Sequence, residues 1–131
     1  MIEVSIIRNL NVKIFRWLAW IAVIAIAVLS LVPGEFRPHF TTSHFNIEHF
    51  AAYFLTSAAV ALAYRGTTHS VLAIVFFLVI YAGLLETAQL WIPGREARFT
   101  DFIASTLGIL AGVLFLSFVR WIRNHKTDSI D

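Results

Sequence analysis

The sequence predicts an all-α integral membrane bundle of four transmembrane helices, and three observations predict it. Hydrophobic residues make up 59% of the 131 residues and charged residues only 14%, where a soluble domain carries about 25% charged. Mean hydropathy is +0.78. Four apolar stretches each approach the roughly 20 residues that a helix needs to cross a bilayer's hydrocarbon core. Such a composition excludes intrinsic disorder, and it lacks the polar surface that covers a water-facing globule. The absence of Cys removes disulfides, thiolate metal sites and cysteine nucleophiles. A net charge of +2 is too small an excess for a nucleic-acid footprint, so no nucleic-acid partner is expected.

The first span runs from about Ile14 to Val32 and stops at Pro33-Gly34. Its basic flank (Arg8, Lys13, Arg16) and the Ala25-Ile26-Ala27 triplet have the form of a cleavable leader. More apolar residues follow the triplet, so the reading is a retained helix. The second span covers about 46–64 and stops at Arg65-Gly66. The third covers about 70–92 and stops at Pro93-Gly94. The fourth covers about 99–119 and ends in Arg120, Arg123 and Lys126. Together they use most of residues 1–131, which read as a single membrane domain.

Orientation follows from Lys and Arg, which concentrate on the cytoplasmic side. Both tails and the middle loop carry Arg8, Lys13, Arg16, Arg65, Arg120, Arg123 and Lys126. The other two loops carry Arg37, Arg95 and Arg98. Both termini are therefore expected in the cytoplasm, in a multi-pass inner (plasma) membrane protein. Trp17, Trp20, Trp91 and Trp121 fall near span ends, where aromatic belts sit.

Ionisable residues inside spans are costly, by roughly 2.5–3.5 kcal/mol at the bilayer centre on insertion scales. Glu48, Glu86 and Asp101 nevertheless sit at or just inside span ends, all on the expected external side. Glu86 is about six residues inside the end at Ile92, roughly 9 Å at the helical rise. Gln89 shares its face. Asp101, Ser105, Gly108 and Gly112 form one stripe, with an acid at its mouth and small residues below. Ser105, Gly108 and Gly112 are read as helix-packing residues, the two glycines at the spacing that lets membrane helices approach closely. His49 and Tyr53 are four apart on the second span.

The candidate site follows from these residues. Glu86 and His49 are the candidate catalytic residues, as general acid or base. Gln89, Arg95, Arg98, Asp101, Glu48 and Tyr53 are the candidate ligand-binding residues, with Arg95 offering a fork for a phosphate or carboxylate. His39, His44, Glu48 and His49 have the residue types of a metal site without a recognised spacing, so no metal and no cofactor are expected. Ser30, Ser57 and Ser105 have no adjacent base in a nucleophile pattern.

The stretch Glu86-Thr87-Ala88-Gln89-Leu90-Trp91-Ile92-Pro93-Gly94-Arg95 resembles the hallmark of the VanZ-like family, small membrane proteins named for a teicoplanin resistance determinant. In that family a Glu and a Gln three apart end a helix before Pro-Gly-Arg. An Asp follows, with Asn four later and then two glycines; here the series reads Asp101, Ser105, Gly108, Gly112. His49, Phe50 and Tyr53 are similar to the family's His-Phe and Tyr upstream. The resemblance spans about residues 45–115. Two positions depart from it: the family's Asp-Lys pair is Phe45-Asn46, and its Asn is Ser105. The resemblance implies a role at the cell envelope and reduced glycopeptide (teicoplanin) susceptibility, with no assigned reaction.

Three readings of the cluster stay open. It is a site that binds or modifies an envelope lipid or lipid-linked wall precursor, or a structural clasp in a non-enzymatic interaction protein. Third is a small proton-coupled transporter, against which the inner halves of all spans carry no acid; a pathway would then need a homo-oligomer.

Overall fold

In the computed structural model the described residues, 2–36, 47–64 and 68–127, fold into helices joined by turns and short loops. The four helices are α1 (Ile2–Leu31), α2 (Ile47–Ala63), α3 (Thr68–Gln89) and α4 (Phe99–Thr127), with one 3-10 turn at Gly34–Phe36. No strand occurs among the described residues. Arg37, His39, His44, Phe45, Asn46, Arg65 and Gly66 lie outside them.

Three helices are long and apolar enough to cross a membrane, over Val12–Leu31, Ser70–Gln89 and Phe99–His125. The fourth, α2, is apolar but has 17 residues. The four similar spans read from the sequence are therefore three long helices and one short one.

Two boundaries differ from the sequence reading for identifiable reasons. Hydropathy marks the apolar part of a helix and not its ends, so α1 starts at Ile2 and α4 runs on to Thr127. Conversely, α3 ends at Gln89 although Leu90, Trp91 and Ile92 are apolar. A proline disfavours helical geometry in the residue before it, and Pro93 follows Ile92. The chain tightens into bonds three residues apart, from the amides of Leu90, Trp91 and Ile92 to the carbonyls of Thr87, Ala88 and Gln89. Gly94 then turns with φ at 73°, a left-handed conformation natural to glycine.

Each helix buries a stripe at spacings of three and four, the signature of one face turned inward. These are Ala19, Val23, Ile26 and Ser30 on α1, and His49, Tyr53, Thr56, Ser57 and Ala61 on α2. On α3 they are Leu78, Ala82, Leu85 and Gln89, and on α4 Asp101, Ala104, Ser105, Gly108, Ile109, Gly112 and Val113. The remaining large apolar side chains face outward, Trp17, Phe76 and Leu114 among them, as lipid contact demands.

The most extensive packing joins α2 and α4. A Cβ on Gly108 would collide with the Phe50 carbonyl oxygen and lie 3.1 Å from the Phe54 nitrogen. One on Gly112 would collide with the Phe54 carbonyl oxygen and Ser57 Oγ. Four residues on in α4 correspond to about four on in α2, so the two helices run parallel with backbones in contact. Hydroxyls in the apolar segments turn back onto their own helices. Ser57 donates to the Phe54 carbonyl at 3.0 Å, Thr106 to Phe102 at 2.9 Å and Ser117 to Val113 at 2.9 Å, which satisfies them without water.

The far end of the bundle is tied by long polar side chains. Arg120 Nη2 donates to the Ala61 carbonyl on the last turn of α2. The Trp20 indole donates to the Tyr64 hydroxyl at 2.9 Å, and the Arg16 guanidinium lies 5.4 Å from the centre of the same tyrosine ring.

Gly108→Ala is expected to lower stability by about 1–3 kcal/mol, the usual range for overpacking, because the obstructing atoms are backbone and cannot rotate away. Gly83→Ala, whose Cβ would meet only the Phe102 ring at 3.4 Å, is expected to be near neutral. Thermal unfolding of both variants in detergent checks the contrast.

Candidate functional site

The four buried stripes all reach a polar residue at the same end of the bundle. These residues are Ser30 near the end of α1, His49 at the start of α2, Gln89 at the end of α3 and Asp101 at the start of α4. Polar side chains collect there because helix ends are where backbone groups already lack intrahelical partners.

The centre of the site is formed by three helices. One ligand-type atom from each of His49, Glu86 and Asp101 lies within 4.8 Å of the other two. His49 and Asp101 are 9% and 6% exposed, while Glu86 is half-buried. One turn from each sits another buried polar residue: Tyr53 beside His49, Gln89 beside Glu86 and Ser105 beside Asp101. The Tyr53 hydroxyl is within electrostatic reach of Glu86 and Tyr81, while Tyr81 itself donates to the Val23 carbonyl of α1 at 2.6 Å.

Helix dipoles favour some of these charges and oppose another. Asp101 stands in the first turn of α4 and Glu48 in the first turn of α2, where the partial positive charge of a helix start stabilises an acid. Glu86 stands in the last turn of α3, where that charge is negative. Its Oε1 accepts the backbone N–H of Arg98 at 2.6 Å, a charge-assisted bond that offsets part of the penalty and fixes the loop leading into α4.

The two arginines of that loop have different tasks. Arg95 reaches back to α1, with Nε donating to the Ser30 carbonyl at 3.1 Å and Nη2 to the Leu29 carbonyl at 2.8 Å. A cation on the final carbonyls of a helix satisfies orphan acceptors and complements the dipole. Arg95 thus closes the end of α1, a role the sequence reading missed because its partner is 65 residues away. Arg98 faces outward, its Nη2 3.1 Å from Glu96 Oε2 and its side chain 61% exposed.

A groove of about 320 Å³ opens beside the cluster between α3 and α4. Gly83, Leu90, Phe99 and Phe102 give it apolar walls, while Glu86 and Arg98 stand at its polar part. Gly83 continues the Glu86 and Gln89 face inward in the sequence, whereas Phe102 carried no sequence signal, since an apolar residue in an apolar span reads as packing. The sequence brings Gln89, Arg98 and Glu86 into this region from one segment. Asp101, His49 and Tyr53 arrive from two other helices.

A family model for VanZ/LLP1 matches residues 4–120. The chain belongs to the VanZ/LLP1 family. No curated protein and no solved structure matches it. The VanZ/LLP1 match takes in α1 from Val4 and α4 up to Arg120, so all four helices fall within the family and not only its motif-bearing middle. Membership, with three helices able to span a bilayer, makes this a VanZ-like membrane protein.

Arg95→Ala is expected to loosen the end of α1 and lower the unfolding temperature. Arg95→Lys, which keeps the charge but not the fork, recovers only part of the loss. Hydrogen exchange at residues 26–33 checks this: protection should fall there first and remain in the middle of α4.

Proposed function

We propose that this VanZ-like protein crosses the inner membrane four times, with both termini cytoplasmic and the polar end of the bundle outward. There it binds, or modifies, the headgroup of an envelope lipid or lipid-linked wall precursor. The excess of Lys and Arg in the tails and middle loop supports the orientation. At 1.5 Å per residue, α2 reaches about 25 Å, the short limit for a span.

The observation that carries the reading is the groove between α3 and α4, apolar along Gly83, Leu90 and Phe102 and charged at Glu86 and Arg98. Its apolar walls suit an acyl or prenyl chain, and its polar part suits the headgroup. Arg98, exposed at the rim, is the group offered to a phosphate. Arg95, engaged on α1, positions the loop. Glu86, His49 and Asp101 supply the proton-handling groups beside it. Glycopeptide resistance, which the family name implies, would follow from altering the precursor that such antibiotics recognise.

The second reading is a structural clasp in a non-enzymatic interaction protein. The bonds of Glu86 to the Arg98 amide and of Arg95 to Leu29 and Ser30 favour it, since these side chains join chain segments together.

Native mass spectrometry of the detergent-purified protein separates the two. The wild type is expected to retain a phosphate-bearing lipid or precursor. Arg98→Ala, at matched thermal stability, is expected to retain about tenfold less, as loss of a charge-assisted hydrogen bond worth roughly 1.5–3 kcal/mol implies, and the groove-filling Gly83→Leu is expected to lose it by excluding the chain. Identical bulk lipid on all three proteins would overturn the headgroup reading. Under the clasp reading, Glu86→Gln lowers stability and function together.

A further inference from the structure

We propose that His49, Glu86 and Asp101 form a binding site for a divalent transition-metal ion of the zinc or manganese class. The inference goes beyond the headgroup reading and does not depend on it. The expectation of no metal rests on spacing along one segment, and a trio drawn from α2, α3 and α4 has no such spacing.

Geometry carries the proposal. Three atoms no more than 4.8 Å apart fit inside a circle of radius 4.8 Å divided by the square root of three. A point about 2.8 Å or less from all three therefore exists, where zinc sits 2.0–2.2 Å from nitrogen and oxygen ligands. Closing the difference takes small torsional adjustments of the imidazole and of the longer Glu86 side chain. Because each ligand stands on a different helix, the arrangement brings together residues that no local backbone preference would gather.

Donor chemistry narrows the ion. One imidazole with two carboxylates, in a chain lacking Cys, suits zinc, manganese or ferrous iron and disfavours cuprous copper. Three protein ligands leave a position open, as in zinc sites that bind water or substrate and unlike closed structural ones. The buried polar residues one turn away, Tyr53, Gln89 and Ser105, are of the kind that orients metal ligands from behind.

Electrostatics points the same way. The trio sets two carboxylates beside a single imidazole, with Asp101 buried and Glu86 half-buried. A divalent cation between the carboxylates balances both charges. It also changes what the site attracts: without an ion it presents acids to an incoming phosphate, and with one it presents a cation.

The test uses tag-free, chelator-stripped protein in detergent, titrated with Zn²⁺ alone and desalted before elemental analysis. One ion per chain is expected. His49→Gln and Asp101→Asn should each weaken binding by about tenfold or more, at least the effect of losing a supporting residue. His125→Ala, at an exposed histidine of α4, should leave binding unchanged. No saturable binding, or equal binding by wild type and His49→Gln, overturns the proposal. Should the site variants fail to fold, Co²⁺ in the wild type decides. Intense visible bands of four- or five-coordinate cobalt support the site, and the weak aqua-ion spectrum alone overturns it.

Discussion

The contact between the backbones of α2 and α4 is the constraint on which the other features depend. Gly108 and Gly112 leave room for the carbonyls of Phe50 and Phe54, and nothing larger than hydrogen fits there. This fixes the two helices in one register and in parallel, so their starts lie at the same end. Asp101 and His49 then meet at that end. Water-driven collapse contributes little between helices in lipid, so close van der Waals contact of this kind holds much of the assembly.

The second pair of neighbours, α1 and α3, is aligned by different means. Tyr81 reaches the Val23 carbonyl, and Arg95 reaches the last carbonyls of α1. Side chains of α3 and of the loop after it thus supply to α1 what a water molecule supplies in a soluble protein. The outcome is a division of labour along the loop from Pro93 to Arg98: one arginine is tied to α1, and the other stands exposed at the rim, paired with Glu96.

Much of this was legible from residue order. Long apolar stretches announced the helices, and the spacing of Asp101, Ser105, Gly108 and Gly112 marked the inward face of α4. Three things were not. Hydropathy hid the end of α3 at Gln89, because Leu90, Trp91 and Ile92 remain apolar while Pro93 dictates the geometry; only the family resemblance, with its Glu and Gln at a helix end, pointed there. The assignment of Arg95 to α1 was hidden because a partner 65 residues away leaves no local trace. That His49, Glu86 and Asp101 share one end of the bundle follows from the span ends, but their approach to within 4.8 Å needs the relative register of three helices, which periodicity within each helix does not contain. Sequence patterns report the face that a helix buries. They are silent on which neighbour it is buried against.

The shortness of α2 has its own consequence. It has 17 residues beside 29 in α4, about 25 Å against about 44 Å at the helical rise. A bilayer accommodates a short hydrophobic segment by thinning around it. Held level with α4 at the glycine contact, α2 cannot tilt or slide independently to hide the mismatch. Crossing as proposed, α2 would draw the membrane surface toward its first turn, carrying water and headgroups down to the depth of His49. The groove between α3 and α4 would then have, on the neighbouring flank, a dimple wet enough for charged groups to enter without leaving the aqueous phase.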